Sequence, residues 1–183
     1  EQVVCRVFAP SPVGRAIDLD ITLNALVDGL SLGGTTELNK GYGGLTFRYG
    51  PVTEPREAKK PDHPAAVQVV VDGRKLDQDL IQGQAKWADW SGVFKMPDGS
   101  PAKGRSGAAV FVPPNHPDYP PEWLTRFYGV LNVSYPGLKM LDMPKDKPLR
   151  LRYRLWIHRG DAAEGKVADV YKMYCADWKW KVR

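Results

Sequence analysis

Apolar and polar residues alternate one for one through much of this chain. The clearest case is 17–25, where Ile17, Leu19, Ile21, Leu23 and Ala25 interleave with Asp18, Asp20, Thr22 and Asn24. Successive side chains of a strand point to opposite faces, so the first set predicts a core face and the second a face toward solvent or a partner. The stretch 43–49 alternates too, with Leu45, Phe47 and Tyr49 against Thr46 and Arg48. Val67 to Val71 is apolar except for Gln68 and ends at Asp72-Gly73, a hairpin-turn dipeptide. Further strands are predicted at 85–91, 107–112, 125–133 and 149–158, and the chain already reads as strand from its first residues.

The last of these is the most regular. Leu151, Tyr153, Leu155 and Ile157 face one way, and Arg150, Arg152, Arg154, Trp156 and His158 the other. That second face reads equally as a solvated surface, with Arg stems lying along it, and as a ligand-facing one. Prolines mark 52–64 and 113–121 as loops, and Asp98-Gly99 marks a turn within 96–105. One helix is predicted after Asp161. Asp161 and Glu164 have the spacing of a capping box, and Val167, Val170, Tyr171 and Tyr174 share a face beyond it. Many strands, few helical periods and no crossover helices predict an all-β fold: a mainly antiparallel β-sandwich with one short C-terminal helix.

The bulk properties narrow the function classes. A chain of 183 residues is long enough for one sandwich domain over 1–183. Its net charge is +5, but the cations are scattered among acids, so no nucleic-acid partner is expected. No apolar run reaches the roughly 18 residues of a membrane-crossing helix. Cys5 and Cys175 are the only cysteines, and both a single long-range disulfide and two unpaired thiols fit them. Neither they nor the three separated histidines suggest a metal site, and no cofactor is implied.

Four stretches carry candidate chemistry. Lys40-Gly41-Tyr42-Gly43-Gly44 would bring Lys40 and Tyr42 to the mouth of the following strand, or would merely form a tight turn into it. Trp87-Ala88-Asp89-Trp90 places a carboxylate beside indoles, a composition shared by sugar sites and by ordinary sandwich cores. His116 lies in a proline-stiffened loop ahead of Arg126, and its pKa near neutrality suits acid-base work. His158 closes the basic strand face. The expected set is therefore His116 and Asp89 as catalytic groups, with Lys40, Tyr42, Trp87, Trp90, Arg126 and His158 as substrate-binding ones.

Taken in order, Arg15-Ala16-Ile17-Asp18-Leu19-Asp20-Ile21-Thr22-Leu23, Lys40-Gly41-Tyr42-Gly43-Gly44-Leu45, Trp87-Ala88-Asp89-Trp90-Ser91-Gly92, Ser106-Gly107-Ala108-Ala109-Val110-Phe111, Asn115-His116-Pro117 and Arg150-Leu151-Arg152-Tyr153-Arg154 resemble the bacterial DUF6807 family over nearly the whole chain. The resemblance implies a longer protein, of which this is the C-terminal portion, and contact with a preceding segment or another chain. The family is often labelled a methane oxygenase, which would imply a membrane-embedded copper protein; no residues here support that label. The resemblance extends to galactose-mutarotase-like supersandwiches and implies an exported, carbohydrate-active protein with a sugar on a concave sheet face. The alternative expectation is a non-catalytic carbohydrate-binding or structural module. Convergence of Lys40, Asp89, His116 and Arg126 in one concavity would favour an enzyme.

Overall fold

The structure is a computed structural model that describes residues 1–52 and 67–181, with side chains described to residue 176. The strands, in chain order, are β1 (Gln2–Val7), β2 (Gly14–Leu23), β3 (Ser31–Gly33), β4 (Thr46–Arg48), β5 (Val67–Val71), β6 (Arg74–Lys75) and β7 (Ile81–Gln84). They continue with β8 (Trp87–Gly92), β9 (Ser106–Phe111), β10 (Glu122–Arg126), β11 (Val130–Ser134), β12 (Met140–Asp142) and β13 (Leu149–Arg159), and the helix α1 (Val167–Lys181) follows. Seven strands form a sheet in the order β1-β2-β13-β9-β8-β5-β6. Four form a second sheet, β4-β11-β10-β7, and β12 pairs with β3. Every pairing is antiparallel. The predicted antiparallel all-β sandwich with one C-terminal helix is the fold observed.

The alternation read from the sequence builds the core. Val69, Val71, Ala88, Trp90, Val110, Leu151, Tyr153 and Leu155 of the large sheet meet Trp123, Leu131 and Val133 of the small one. Trp90 is buried in this layer and stacks on Tyr49 at 4.6 Å between ring centroids. The Trp123 indole N–H donates to the Ala85 carbonyl at 2.7 Å, so its polar atom is satisfied where the ring is buried. The opposite, outer face of the large sheet has its own apolar layer. Val70, Trp87, Ala109, Phe111 and Trp156 are covered by Val167, Val170, Tyr171 and Tyr174 of α1, the helical face predicted from their spacing.

Several boundaries differ from the sequence reading. The stretch 125–133 is two strands, β10 and β11, joined through Gly129 at φ +102. Gly129 is the turn signal inside that stretch. Strand 43–49 is ordered as strand only at β4, because Gly44 takes a positive φ of 56 and presses against the β11 backbone. The capping box forms, with Asp161 Oδ1 accepting from the Ala163 and Glu164 amides at 2.9 and 3.0 Å and Glu164 Oε2 accepting from Asp161 N at 3.0 Å. It closes a separate turn, however. Lys166 at φ +52 interrupts the backbone, and α1 begins at Val167. Cys5 and Cys175 are unbonded. Cys5 lies opposite Leu19 on the inner side of β1, whereas Cys175 packs with α1 on the outer side, so the sheet separates them. Of the loop predicted at 52–64, only Val52 lies within the described residues, and it bridges to Phe94. Among the described residues, no helix is long and apolar enough to cross a membrane.

Candidate functional site

The eight candidate residues fall in three places. The first is the outer face of the large sheet, where His158 of β13 and Asp89 of β8 meet across β9. The register sets His158 opposite Gly107 and Gly107 opposite Ser91, while Asp89 is one row over, opposite Ala109. Because residue 107 has no side chain, the imidazole passes over β9 and brings Nε2 to 2.7 Å from Asp89 Oδ1. A Cβ at Gly107 would stand 2.6 Å from Ser91 Cβ and 3.0 Å from His158 Cε1. The ring is roofed by Gly165, where a Cβ would collide with it, and the Gly165 carbonyl accepts from Trp156 Nε1 at 2.8 Å.

The protons of this pair follow from its partners. His158 Nδ1 lies 3.2 Å from the Arg159 carbonyl oxygen, which only accepts, so Nδ1 carries a hydrogen. The 2.7 Å contact between Nε2 and Oδ1 then holds one proton between them. Burial penalises the imidazolium, but the hydrogen bond and charge of Asp89 outweigh it and hold His158 above its usual range. Burial also raises the Asp89 carboxyl, and the bond to His158 only partly offsets that. Asp89 Oδ2 has no hydrogen-bond partner, which is a physical reason for the raised value. Both side chains are fully enclosed, so in this state the pair fastens the 160–166 turn to the sheet and has no open side toward a substrate.

The second place is the inner face. His116 is buried in the loop before β10, against the rings of Tyr135 at 4.9 Å and Tyr153 at 5.8 Å. Its Nδ1 accepts from the Asp118 amide at 3.2 Å, which leaves the hydrogen on Nε2, 3.3 Å from the Tyr153 hydroxyl. Burial lowers its pKa to about 4, with Asp118 opposing weakly. It is a neutral imidazole at pH 7. Asp89 and His116 therefore lie on opposite faces of one sheet and do not form a common site.

The third place is the small sheet. The segment before β4 runs over its outer face, where Asn132 Nδ2 donates to the Gly43 carbonyl and to Thr46 Oγ1, both at 2.7 Å. This fold-over brings Tyr42 close enough to Arg126 of β10 for the Tyr42 hydroxyl to act on the guanidinium charge. Arg126 Nη1 also donates to Asp79 Oδ2 at 3.1 Å, and Asp79 Oδ1 accepts from Phe127 N at 2.9 Å. Burial opposes the Arg126 charge, but Asp79 and Tyr42 outweigh it and raise its pKa. Tyr128 leaves 41% of its surface open, interacts electrostatically with Tyr42, and lies within the fields of Arg126 and Arg48. Lys40, two residues before Tyr42, pairs with Glu37 at 3.6 Å.

Tyr42 and Arg126 are thus brought together, whereas Lys40, Asp89, His116 and Arg126 do not converge. Trp87 and Trp90 are buried on opposite faces, at 6% and 1% exposure, and neither offers a ring to solvent. The sequence reading missed Asp79 and Tyr128. Tyr128 had a signal, being an aromatic residue beside the Gly129 turn; Asp79, 47 residues from Arg126, had none. It also missed the partners of the basic strand face. Asp18 and Asp20 of β2 stand directly opposite Arg154 and Arg152 of β13. That pairing was written in two matching period-two charge patterns. No group of three or more metal-ligating side chains occurs among the described residues.

Fold and polar sites together define a helix-covered antiparallel β-sandwich with a buried His158–Asp89 pair on the large sheet and the Arg126–Asp79 pair on the small one. Residues 1–172 match the model of a family of unknown function, DUF6807, and the chain belongs to that family. Neither a curated protein nor a solved structure matches it.

Proposed function

We propose that this chain is a binding module for a saccharide or sugar derivative, and that Tyr42, Arg126 and Tyr128 form its contact surface. One observation carries this reading: a guanidinium held by Asp79 acts electrostatically with the Tyr42 hydroxyl and with Tyr128, whose ring is exposed. A tyrosine ring supplies an apolar face with a polar tip, and a pre-oriented arginine supplies donors in fixed geometry. A pyranose needs both, an apolar face to cover and hydroxyl oxygens to receive donors.

The non-catalytic form of the expectation is favoured over the enzymatic one because Asp89 and His116 are enclosed on opposite faces of the large sheet. The test is a titration of the chain with neutral and acidic oligosaccharides, followed by NMR. Saturable binding that Tyr128→Ala and Arg126→Lys each weaken, with the fold retained, is the expected result. Binding unchanged in both variants would sink the assignment. Slow conversion of a saccharide in the same tube would replace it with a catalytic one.

A further inference from the structure

The two edges of the seven-stranded sheet are built differently. One is β6, two residues long and both of them cationic, Arg74 and Lys75. Short length and charge are common ways to keep an edge from pairing. The small sheet guards its own edges, with three residues in β4 and, in β7, Gln82 at φ +59 beside a register shift. The other edge of the large sheet is β1, six residues in unbroken register with β2, every one of them exposed. It holds no proline and a single charge, Arg6. Among the described residues it is the longest strand at any sheet edge.

Register also fixes which groups β1 leaves open. The Phe8 amide donates to the Ala16 carbonyl at 3.1 Å, one step beyond the Val7–Ile17 pair. Bonded and unbonded pairs alternate along an antiparallel ladder, so Gln2, Val4 and Arg6 bond β2, and the N–H and C=O groups of Val3, Cys5 and Val7 point to the free edge. Among the described residues, no turn or loop bonds them. The same three side chains stand on the inner face, opposite Ile21, Leu19 and Ile17, and Val3 and Val7 are 50% and 57% exposed. A strand laid along β1 would satisfy this main chain and extend the apolar face at once.

The pattern of β1 selects that strand. Val3, Cys5 and Val7 read alike in both directions, as pairing about a two-fold axis requires. An antiparallel register centred on Cys5 sets Val3 against the second copy's Val7, Cys5 against the second copy's Cys5, and Val7 against the second copy's Val3. Each becomes a bonded pair that exchanges both N–H···O bonds. On the outer face Val4 meets the second copy's Arg6 and Gln2 meets its Phe8, so no like charges stand directly opposite. Arg6 also keeps Asp18 opposite it on its own β2. We infer that β1 is a homodimer interface, at which two copies join edge to edge into one continuous antiparallel sheet. The surface at Arg126 is on the small sheet, so either proposal stands without the other.

The experiment is sedimentation of the full chain across micromolar concentrations, paired with amide hydrogen exchange. A reversible monomer–dimer equilibrium is expected. Protection at Val3, Cys5 and Val7 should rise with concentration, while Val4 and Arg6, already bonded to β2, stay as they are. A short bis-maleimide should join exposed Cys5 to Cys5, because the Cα atoms of a bonded pair lie about 5.5 Å apart. Cys5→Pro removes only an outward N–H, so it should spare the β1–β2 ladder and weaken dimerisation about tenfold. Val7→Lys sets a cation on the apolar strip and should weaken it as much; it carries the test should the proline variant misfold. The inference is overturned if the chain stays monomeric at every concentration, which leaves the edge to a strand of another sequence. It is equally overturned if a dimer forms with the β1 amides unprotected, or if both variants dimerise like the parent.

Discussion

His116 and His158 lie on the two faces of the same seven-stranded sheet, and their surroundings shift their pKa values in opposite directions. His116 is 5% exposed and His158 2%, so burial alone does not separate them. His116 meets tyrosine rings, a backbone amide that occupies Nδ1 and a hydroxyl at Nε2. Nothing there supports a second proton. His158 meets a carbonyl at Nδ1 and a carboxyl at Nε2, and both favour a hydrogen on the ring. Residue type offers a titratable group, and the atoms facing each nitrogen decide what it does.

The largest expected effect comes from removing one side of the outer pair. Asp89→Ala leaves His158 enclosed without its carboxyl and should cost about 3–5 kcal/mol in urea unfolding. If it costs no more than His116→Phe, which keeps a ring and forfeits about 1 kcal/mol of neutral hydrogen bonding, the two faces are energetically alike and the contrast is lost.

Next in size is the pH dependence, which should differ in sign. His116 falls from 6.5 unfolded to about 4 folded. Its contribution is present in full above 6.5 and lost as pH falls through 4, a change of about 3 kcal/mol. His158 is raised, so its contribution is complete below 6.5 and lost as pH rises through its folded value. Asp89, raised from 3.8, acts in the same direction as His158. Subtracting the stability–pH curve of His116→Phe from that of the parent should leave a loss on the acid side only. A difference that is flat between pH 7 and 4 would mean that His116 is charged or solvated in the fold.

These contrasts mark where the sequence is legible. Period two fixed the faces of β2, β8 and β13 correctly, because each strand is covered or paired on both sides and a one-residue slip would exchange them. It did not say what covers the outer face. The Arg150–His158 face was read as uniform, yet Arg152 is half-open while Trp156 and His158 are buried beneath the 160–166 turn. Only the fold supplies that cover. The pairing of Asp89 with His158 spans 69 residues and depends on the missing side chain at Gly107. Small residues at Gly107 and Ala109 in the middle strand were visible, but their meaning needed the strand order β13-β9-β8. Tyr42 and Arg126 were singled out separately, and their meeting depends on the loop over the small sheet.

A smaller effect tests the roof of the outer pair. Gly165→Ala puts a methyl group into the His158 ring and should cost about 1–3 kcal/mol by overpacking. In a His158→Ala background the same substitution should cost markedly less, because the ring it strikes is gone. Equal costs in both backgrounds would place the strain in the backbone and detach Gly165 from the pair.

The smallest effect separates two arginines on one strand, two residues apart. Arg154 and Asp18 are 13% and 15% exposed, joined by two bonds of 2.5 and 2.9 Å, and the guanidinium lies 4.5 Å from the Tyr174 ring centroid. Arg152 and Asp20 are 42% and 36% exposed. Water already solvates the second pair, so Arg152→Ala should change stability by less than ~1 kcal/mol and lose that effect in high salt. Arg154→Ala should cost more and be salt-insensitive, because it removes a bidentate bond and a cation–π contact in a place water does not refill. If the two variants unfold alike, the pairing along β13 is a uniform surface ladder, and the cover from α1 contributes nothing to it.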